Sequence, residues 1–218
     1  DSIYFMEQPA YNPSLAMYCY TNKVLHDNGI VVTMAGDMGD EVLGGYPKYW
    51  KLRKEKFTCW ADIIDKWINR IKRPIKIYDK TVLRNELLKC YPEDLWNPND
   101  PIGSYMALDC VAQVPEEFLM RNDKYGMAYS MEGRFPLATK TFMKYCMSIN
   151  SKNKIGMMKD QTKMPTKLAY KGHLPDYIIN KQKTGWTVPL QHWWNKSGKE
   201  NIPSMIVSDW IKKYNMTE

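Results

Sequence analysis

The chain has no Cys-x-x-Cys pair, and its five cysteines (Cys19, Cys59, Cys90, Cys110, Cys146) are odd in number and widely spread. That pattern excludes a disulfide framework and a zinc site of ordinary spacing, and it fits a reducing compartment, the cytoplasm. No apolar run approaches the roughly 18 residues of a membrane span, so no membrane partner is expected. Repeats and low-complexity tracts are absent, and 44% hydrophobic against 25% charged residues is not the composition of a disordered tail. An initiator methionine and a signal peptide are both missing. The chain opens with Asp1-Ser2-Ile3-Tyr4, which reads as a cut through a longer protein. What is present is 218 residues, enough for one ordinary domain or two small ones. The 31 Lys plus Arg against 24 Asp plus Glu leave a net charge of +7, which permits anionic partners without choosing among them.

Residues Leu15 to Asp27 alternate apolar and polar groups at helical spacing, and Asn28-Gly29 supplies a helix stop. Ile30 to Ala35 then reads as a short, continuously apolar, β-branched strand of the kind buried on both faces of a parallel sheet. A helix feeding such a strand suggests the tail of a βαβ unit. Four glycines and three acids follow in Gly36-Asp37-Met38-Gly39-Asp40-Glu41-Val42-Leu43-Gly44-Gly45-Tyr46. They lie at the strand's carboxyl end, the edge where open α/β sheets bind ligands. Beyond Tyr46 no second strand is expected, whereas helical patterns recur at 48–72, 81–90, 103–113, 115–131, 139–148, 160–171 and 203–214. The expected class is α/β, with the end of a sheet and its acidic loop over residues 1–50 and a helical body over 51–218.

Three segments could carry chemistry. In the acidic loop, glycines expose backbone N–H groups to phosphate oxygens, but Asp37, Asp40 and Glu41 would repel a bare phosphate. A cation must intervene, and hard oxygen ligands suit Mg²⁺, which completes its shell with water and substrate phosphates. The competing reading is a turn with solvated acids. In the second segment, Leu119, Asp123, Met127 and Ser130 share one helical stripe that mixes apolar groups with a carboxylate and a hydroxyl. Gly133 and Pro136 should end this helix, leaving Glu132 and Arg134 free to enter a cleft or simply to pair with each other. The third is Lys183, just before Gly185 and between aromatic and proline residues, where an anchored ammonium could neutralise phosphate. A lysine beside a glycine is otherwise ordinary surface.

In this order and spacing, the three segments resemble the C-terminal synthetase domain of glutamine-dependent asparagine synthetases, whose relatives include β-lactam synthetase. Members carry a Gly-Glu-Gly-(Ala/Ser)-Asp-Glu loop ending in Gly-Gly-Tyr, then Asp-Arg-x-x-Met-Ala-x-x-x-Glu-x-Arg-x-Pro, then Leu-Pro followed by Lys-x-Gly-Phe and Pro. Glu7-Gln8-Pro9 and the run from Lys163 to Ala169 also look like family stretches. The resemblance implies the carboxyl part of an adenine-nucleotide alpha-hydrolase-like (ATP pyrophosphatase) domain. It implies Asp40 as a Mg²⁺ ligand, Ala35, Gly36 and Gly39 as nucleotide-binding backbone, Asp37 as a catalytic or substrate-ordering group, Glu132 as its support, and Lys183 on the departing pyrophosphate. The implied reaction activates a carboxylate, aspartate in the family, by attack on the α-phosphate of ATP. Pyrophosphate leaves, and ammonia derived from glutamine displaces AMP.

This chain departs from the pattern in places. Asp37 stands where the family has Glu, Met38 and Gly39 alter the loop, and Leu137-Ala138-Thr139 replaces the usual Phe-Leu-Asp. The family's Ser-Gly-Gly-x-Asp-Ser phosphate loop and its glutaminase domain do not occur in these 218 residues. Three alternatives remain open: an amide-forming ligase acting on another carboxylate, a scaffold that keeps the fold without the reaction, and a nucleic-acid binder suggested by Lys51–Lys56 and Arg70–Lys76. The last has no recognised nucleic-acid fold behind it, so no nucleic-acid partner is expected.

Overall fold

The computed structural model describes residues 2–8, 14–69, 79–159, 161–184 and 210–214. In chain order the elements are α1 (Ser2–Met6), α2 (Leu15–Asp27), β1 (Val32–Met34), α3 (Gly39–Leu43), α4 (Pro47–Leu52), α5 (Trp60–Asn69), α6 (Lys80–Cys90) and α7 (Pro101–Leu108). After a wide-turned stretch over Asp109–Leu119 come α8 (Met120–Met127), β2 (Glu132–Arg134), α9 (Lys140–Ser148), α10 (Ser151–Lys154), α11 (Met164–Ala169) and α12 (Asp176–Ile179). The architecture is mostly helical α/β with two parallel strands. It divides into two compact units, one made of residues 1–35, 116–134 and 184–218, the other of 36–115 and 135–183.

In the first unit β1 and β2 pair in parallel, Val32 opposite Glu132, Thr33 opposite Gly133 and Met34 opposite Arg134. This corrects two expectations. The strand expected over Ile30 to Ala35 is only three residues long and is not buried: Val31 is 64% and Met34 74% exposed. A second strand does exist, formed by Glu-Gly-Arg, three residues with no apolar alternation to announce it. Of the helix expected over 115–131, only α8, Met120–Met127, is α-helical. It stops in a Schellman turn: Met131 N–H donates to Gly126 C=O at 2.9 Å, Ser130 N–H donates to Met127 C=O at 3.0 Å, and Ser130 is left-handed at φ 54°. The mixed stripe is solvent-facing, with Asp123, Met127 and Ser130 all exposed, whereas Arg121, Tyr125 and Gly126 are the buried members. Tyr125 packs with Met6, Leu15 and Cys19 in this unit's core.

The second unit is built on α5, whose Trp60, Ile63, Ile64 and Ile68 recur at helical spacing and pack with Tyr49, Tyr105, Met106, Leu108 and Ile155. The single helix expected over 48–72 is two, α4 and α5, because Thr58 N–H and its hydroxyl both donate to Asp62 at 2.7 Å and fix a new N-terminus. The helices expected over 103–113 and 115–131 are joined by the wide-turned stretch Asp109–Leu119, which contains Pro115 and whose i→i+5 pattern spares the clash a proline ring makes in an α-helix. Asp100 caps α7 through Gly103 N–H and also receives Ser151 N–H at 2.8 Å, joining the starts of α7 and α10. Residues 70–76, 185–194 and 203–209, each part of a sequence expectation, lie outside the described residues.

Candidate functional site

The acidic loop folds as a turn into α3. Met38 opens that helix in the left-handed region, φ 77°, and is 3% exposed, while Gly44 closes it at φ 74°. A buried methionine at positive φ is strained, and it persists only where surrounding structure enforces it. Among the described residues four non-glycine positions have positive φ, and two of them, Met38 and Lys163, belong to this loop and to the lysine that meets it.

Asp40 is the centre of the site. Its Oδ1 lies 2.7 Å from Lys163 Nζ and its Oδ2 2.6 Å from Lys183 Nζ. The Lys183 contact is a hydrogen bond, whereas Lys163 meets Oδ1 as an ion pair without hydrogen-bond alignment. Burial pushes the Asp40 carboxyl up, but its ion pairs with Lys163 and Lys183 outweigh it, and the net shift is downward. Gly45 explains why the loop ends in two glycines: a Cβ there would stand 1.8 Å from Asp40 Oδ1 and 2.4 Å from Lys163 Cε. The backbone has to come this close for the carboxylate to meet both ammonium groups.

A second polar layer lies behind. Glu41, 1% exposed, accepts a hydrogen bond from Tyr46 OH at 2.6 Å. Burial raises the Glu41 carboxyl, the tyrosine works against that, and the nearby Asp40 and Asp109 charges add to it. Tyr46's phenol is raised by burial and then by Glu41, so it stays a donor. Asp109 is fully buried and accepts from Tyr49 OH at 2.7 Å and Trp67 Nε1 at 2.9 Å. It pairs with Lys48 Nζ at 2.6 Å, an ammonium that also lies 4.8 Å from the Tyr46 ring centroid and 5.1 Å from that of Tyr49. Asp40, Glu41 and Asp109 are thus accompanied by Lys48, Lys163 and Lys183, so the acids do not present a bare negative cluster.

Of the residues singled out in the sequence, Asp40 and Lys183 are brought together. Asp37 is half-buried on the turn before α3. Gly36 is exposed, with open space where a Cβ would be, and Gly39 is buried with Leu137 Cδ1 2.9 Å from that point. Ala35 N–H is used by Arg134 C=O at 3.0 Å. Glu132 belongs to the other unit, on β2, in an exposed ion pair with Arg134 at 3.0 Å. Lys163 was missed as a site residue, and its signal was its place at the head of the Lys163–Ala169 run. Among the described residues no three His, Cys, Asp or Glu side chains cluster to hold a metal. Asp40 Oδ1 has no aligned hydrogen-bond donor, only the Lys163 ammonium at 2.7 Å, so it fits as a single cation ligand only where the metal takes that ammonium's place, the role one carboxylate plays when Mg²⁺ draws its other ligands from phosphate and water.

The family model for asparagine synthase matches residues 1–216. The chain is 25% identical over 135 residues to glutamine-hydrolyzing asparagine synthetase 1 of Bacillus subtilis (strain 168), a match covering 62% of this chain and 21% of that protein. It is 19% identical over 228 residues to a "putative asparagine synthetase (glutamine-hydrolyzing)" of Mycobacterium tuberculosis (strain ATCC 25618 / H37Rv), covering 88% of this chain and 34% of that protein. The chain therefore spans about a third or less of the length of these relatives. No solved structure matches it significantly.

Proposed function

Because the chain belongs to the asparagine synthase family, we propose that it supplies the pyrophosphate-handling side of an ATP-dependent amide-forming site. In that reaction a carboxylate, aspartate in the first instance, attacks the α-phosphate of ATP. Pyrophosphate leaves with the bonding electrons, and ammonia then displaces AMP from the acyl adenylate. The observation that carries the reading is the meeting of Lys163 and Lys183 on Asp40. Two ammonium groups held about one fixed carboxylate are a preorganised cation pair. They can turn toward negative charge building on a leaving pyrophosphate without being assembled at that moment.

Each side chain then has a task. Lys183 and Lys163 stabilise the departing phosphates, and Asp40 keeps the two lysines in place. Asp37, on the turn that leads into α3, orders the incoming amine or carboxylate. The backbone of Ala35, Gly36 and Gly39 lies along the nucleotide. Mg²⁺, when bound, would be held by Asp40 and would neutralise polyphosphate charge. The exposed apolar strand β1, with Val32 and Met34 open to solvent, supports the reading that the two strands form part of a larger parallel sheet of the ATP pyrophosphatase type in the complete protein. The test is pyrophosphate release by the complete protein with ATP, aspartate and ammonia. Lys183→Ala or Lys163→Ala should reduce it by about 10²–10³-fold, while ATP binding, titrated alongside, changes far less. Lys183→Arg should recover only part of the rate, because a planar fork does not reproduce a compact ammonium. Unchanged release in both alanine variants would sink the assignment.

A further inference from the structure

Within the second unit a cavity of about 240 Å³ lies against the same two lysines that hold Asp40. Lys163 and Lys183 line it together with Tyr170, Leu174, Ile178 and Ile179, contributed by the end of α11, the following turn and α12. Its surface is mostly apolar, and the wall is left open to water: Tyr170 is 50% exposed, Leu174 42% and Ile178 42%. Lys167 and Lys181 also border it, and among the described residues neither ammonium has an ion-pair or hydrogen-bond partner. No acidic side chain among the described residues lines the cavity.

We propose that this cavity binds a carboxylic acid that has an apolar body and no ammonium group. The carboxylate would meet Lys167 and Lys181, the two lining lysines that Asp40 does not hold, and the body would cover Leu174, Ile178 and Tyr170. Aspartate suits it poorly. Among the described lining residues every charged group is a lysine, and Asp40, the acid that meets two of them, is already shared by Lys163 and Lys183, so aspartate's α-ammonium would find no free carboxylate, and its short polar body would leave the apolar wall wet. A site that offers an ammonium no partner rejects the amino acid in favour of the plain acid, because the unpaired charge is what costs. The inference rests on the ligase reading only for the acid's role, as the carboxylate that is activated; the assignment of the cavity stands on its lining.

The experiment titrates the complete protein with hexanoate, L-aspartate and hexylamine by calorimetry and, separately, measures pyrophosphate release with ATP, ammonia and each acid. Hexanoate should bind at least about tenfold more tightly than aspartate, and hexylamine should not bind. Either Ile178→Asp or Leu174→Asp should weaken hexanoate by about tenfold or more, and Ile178→Met should retain it. Both positions are well exposed, so these substitutions leave the core untouched. Hexanoate binding no more tightly than aspartate, or indifferent to both aspartate substitutions, overturns the proposal. Release driven by aspartate without hexanoate binding overturns it too and leaves the ligase reading standing. Hexanoate binding with no release from either acid supports the cavity and sinks the ligase reading.

Discussion

Lys183 reaches Asp40 across 143 residues of sequence, its Nζ 2.6 Å from the carboxylate Oδ2. Lys163 closes on the other oxygen at 2.7 Å, so one acid holds two cations. The arrangement matters because each ammonium alone would wander in solvent, as a lone surface lysine does, and a wandering charge contributes little to a transition state.

The Asp40 carboxyl is pushed up by burial but held below the ordinary range by its two lysines, which gives the acid dependence of stability a definite sign. A carboxyl lowered in the folded state stabilises above its unfolded value, about 3.9, and loses that contribution as pH falls through the folded value. Asp40→Asn should therefore unfold more easily at neutral pH, by about 1–3 kcal/mol, and show a flatter loss of stability between about pH 5 and pH 2. Urea unfolding across that range checks both statements. Parallel curves for the two proteins would contradict the ion-pair assignment.

Gly45→Ala should act through Asp40 and not through the backbone. A methyl group there would overlap the Asp40 carboxylate and Lys163 Cε, whose distances from the added Cβ are 1.8 and 2.4 Å. We expect a loss of about 1–3 kcal/mol together with a fall in pyrophosphate release like that of Lys163→Ala. Gly36→Ala, where the added methyl meets nothing within 4 Å, is the control and should be close to neutral.

Met38 separates strain from burial. Met38→Gly removes a side chain that is 3% exposed but also removes the penalty of φ 77°, whereas Met38→Ala loses the burial and keeps the strain. The alanine variant should therefore be the less stable by about 1 kcal/mol. Denaturation midpoints decide it; equal midpoints would mean that the loop relaxes out of the left-handed region.

Ser130 occupies the C′ position of the Schellman turn after α8 at φ 54°, where glycine is at ease, and its side chain is exposed. Ser130→Gly should leave stability unchanged or raise it by up to about 1 kcal/mol. A melting temperature that falls instead would show that the turn is held by the serine side chain.

Much of the site was legible because its parts are short-range. The glycine and acid loop, the lysine before Gly185 and the order of the three segments are local patterns, and the family they resemble is the one the chain belongs to. The helices expected over 81–90 and 139–148 were equally plain, each a compact periodic run, and α6 and α9 match them to within one residue at each end. The stripe of Leu119, Asp123, Met127 and Ser130 was legible as one helical face, but helical spacing does not say whether a face is turned inward, and only the structure shows Asp123, Met127 and Ser130 exposed.

Sequence alone determined the helical body, the absence of disulfides, and the need for an acidic glycine loop to find cations. Only tertiary structure decided which cations those are. Lys163 and Lys183 come from two segments that are unremarkable in isolation, and their convergence depends on how α11 and the chain after α12 pack beside α3. It also made a strand of Glu132-Gly133-Arg134, since those residues have no strand pattern and acquire one through hydrogen bonds to β1. The physical reason is common to both: local propensity is a matter of neighbours within a turn or two, whereas a salt bridge over 143 residues and a parallel pairing over 100 are settled by burial and by backbone groups seeking partners.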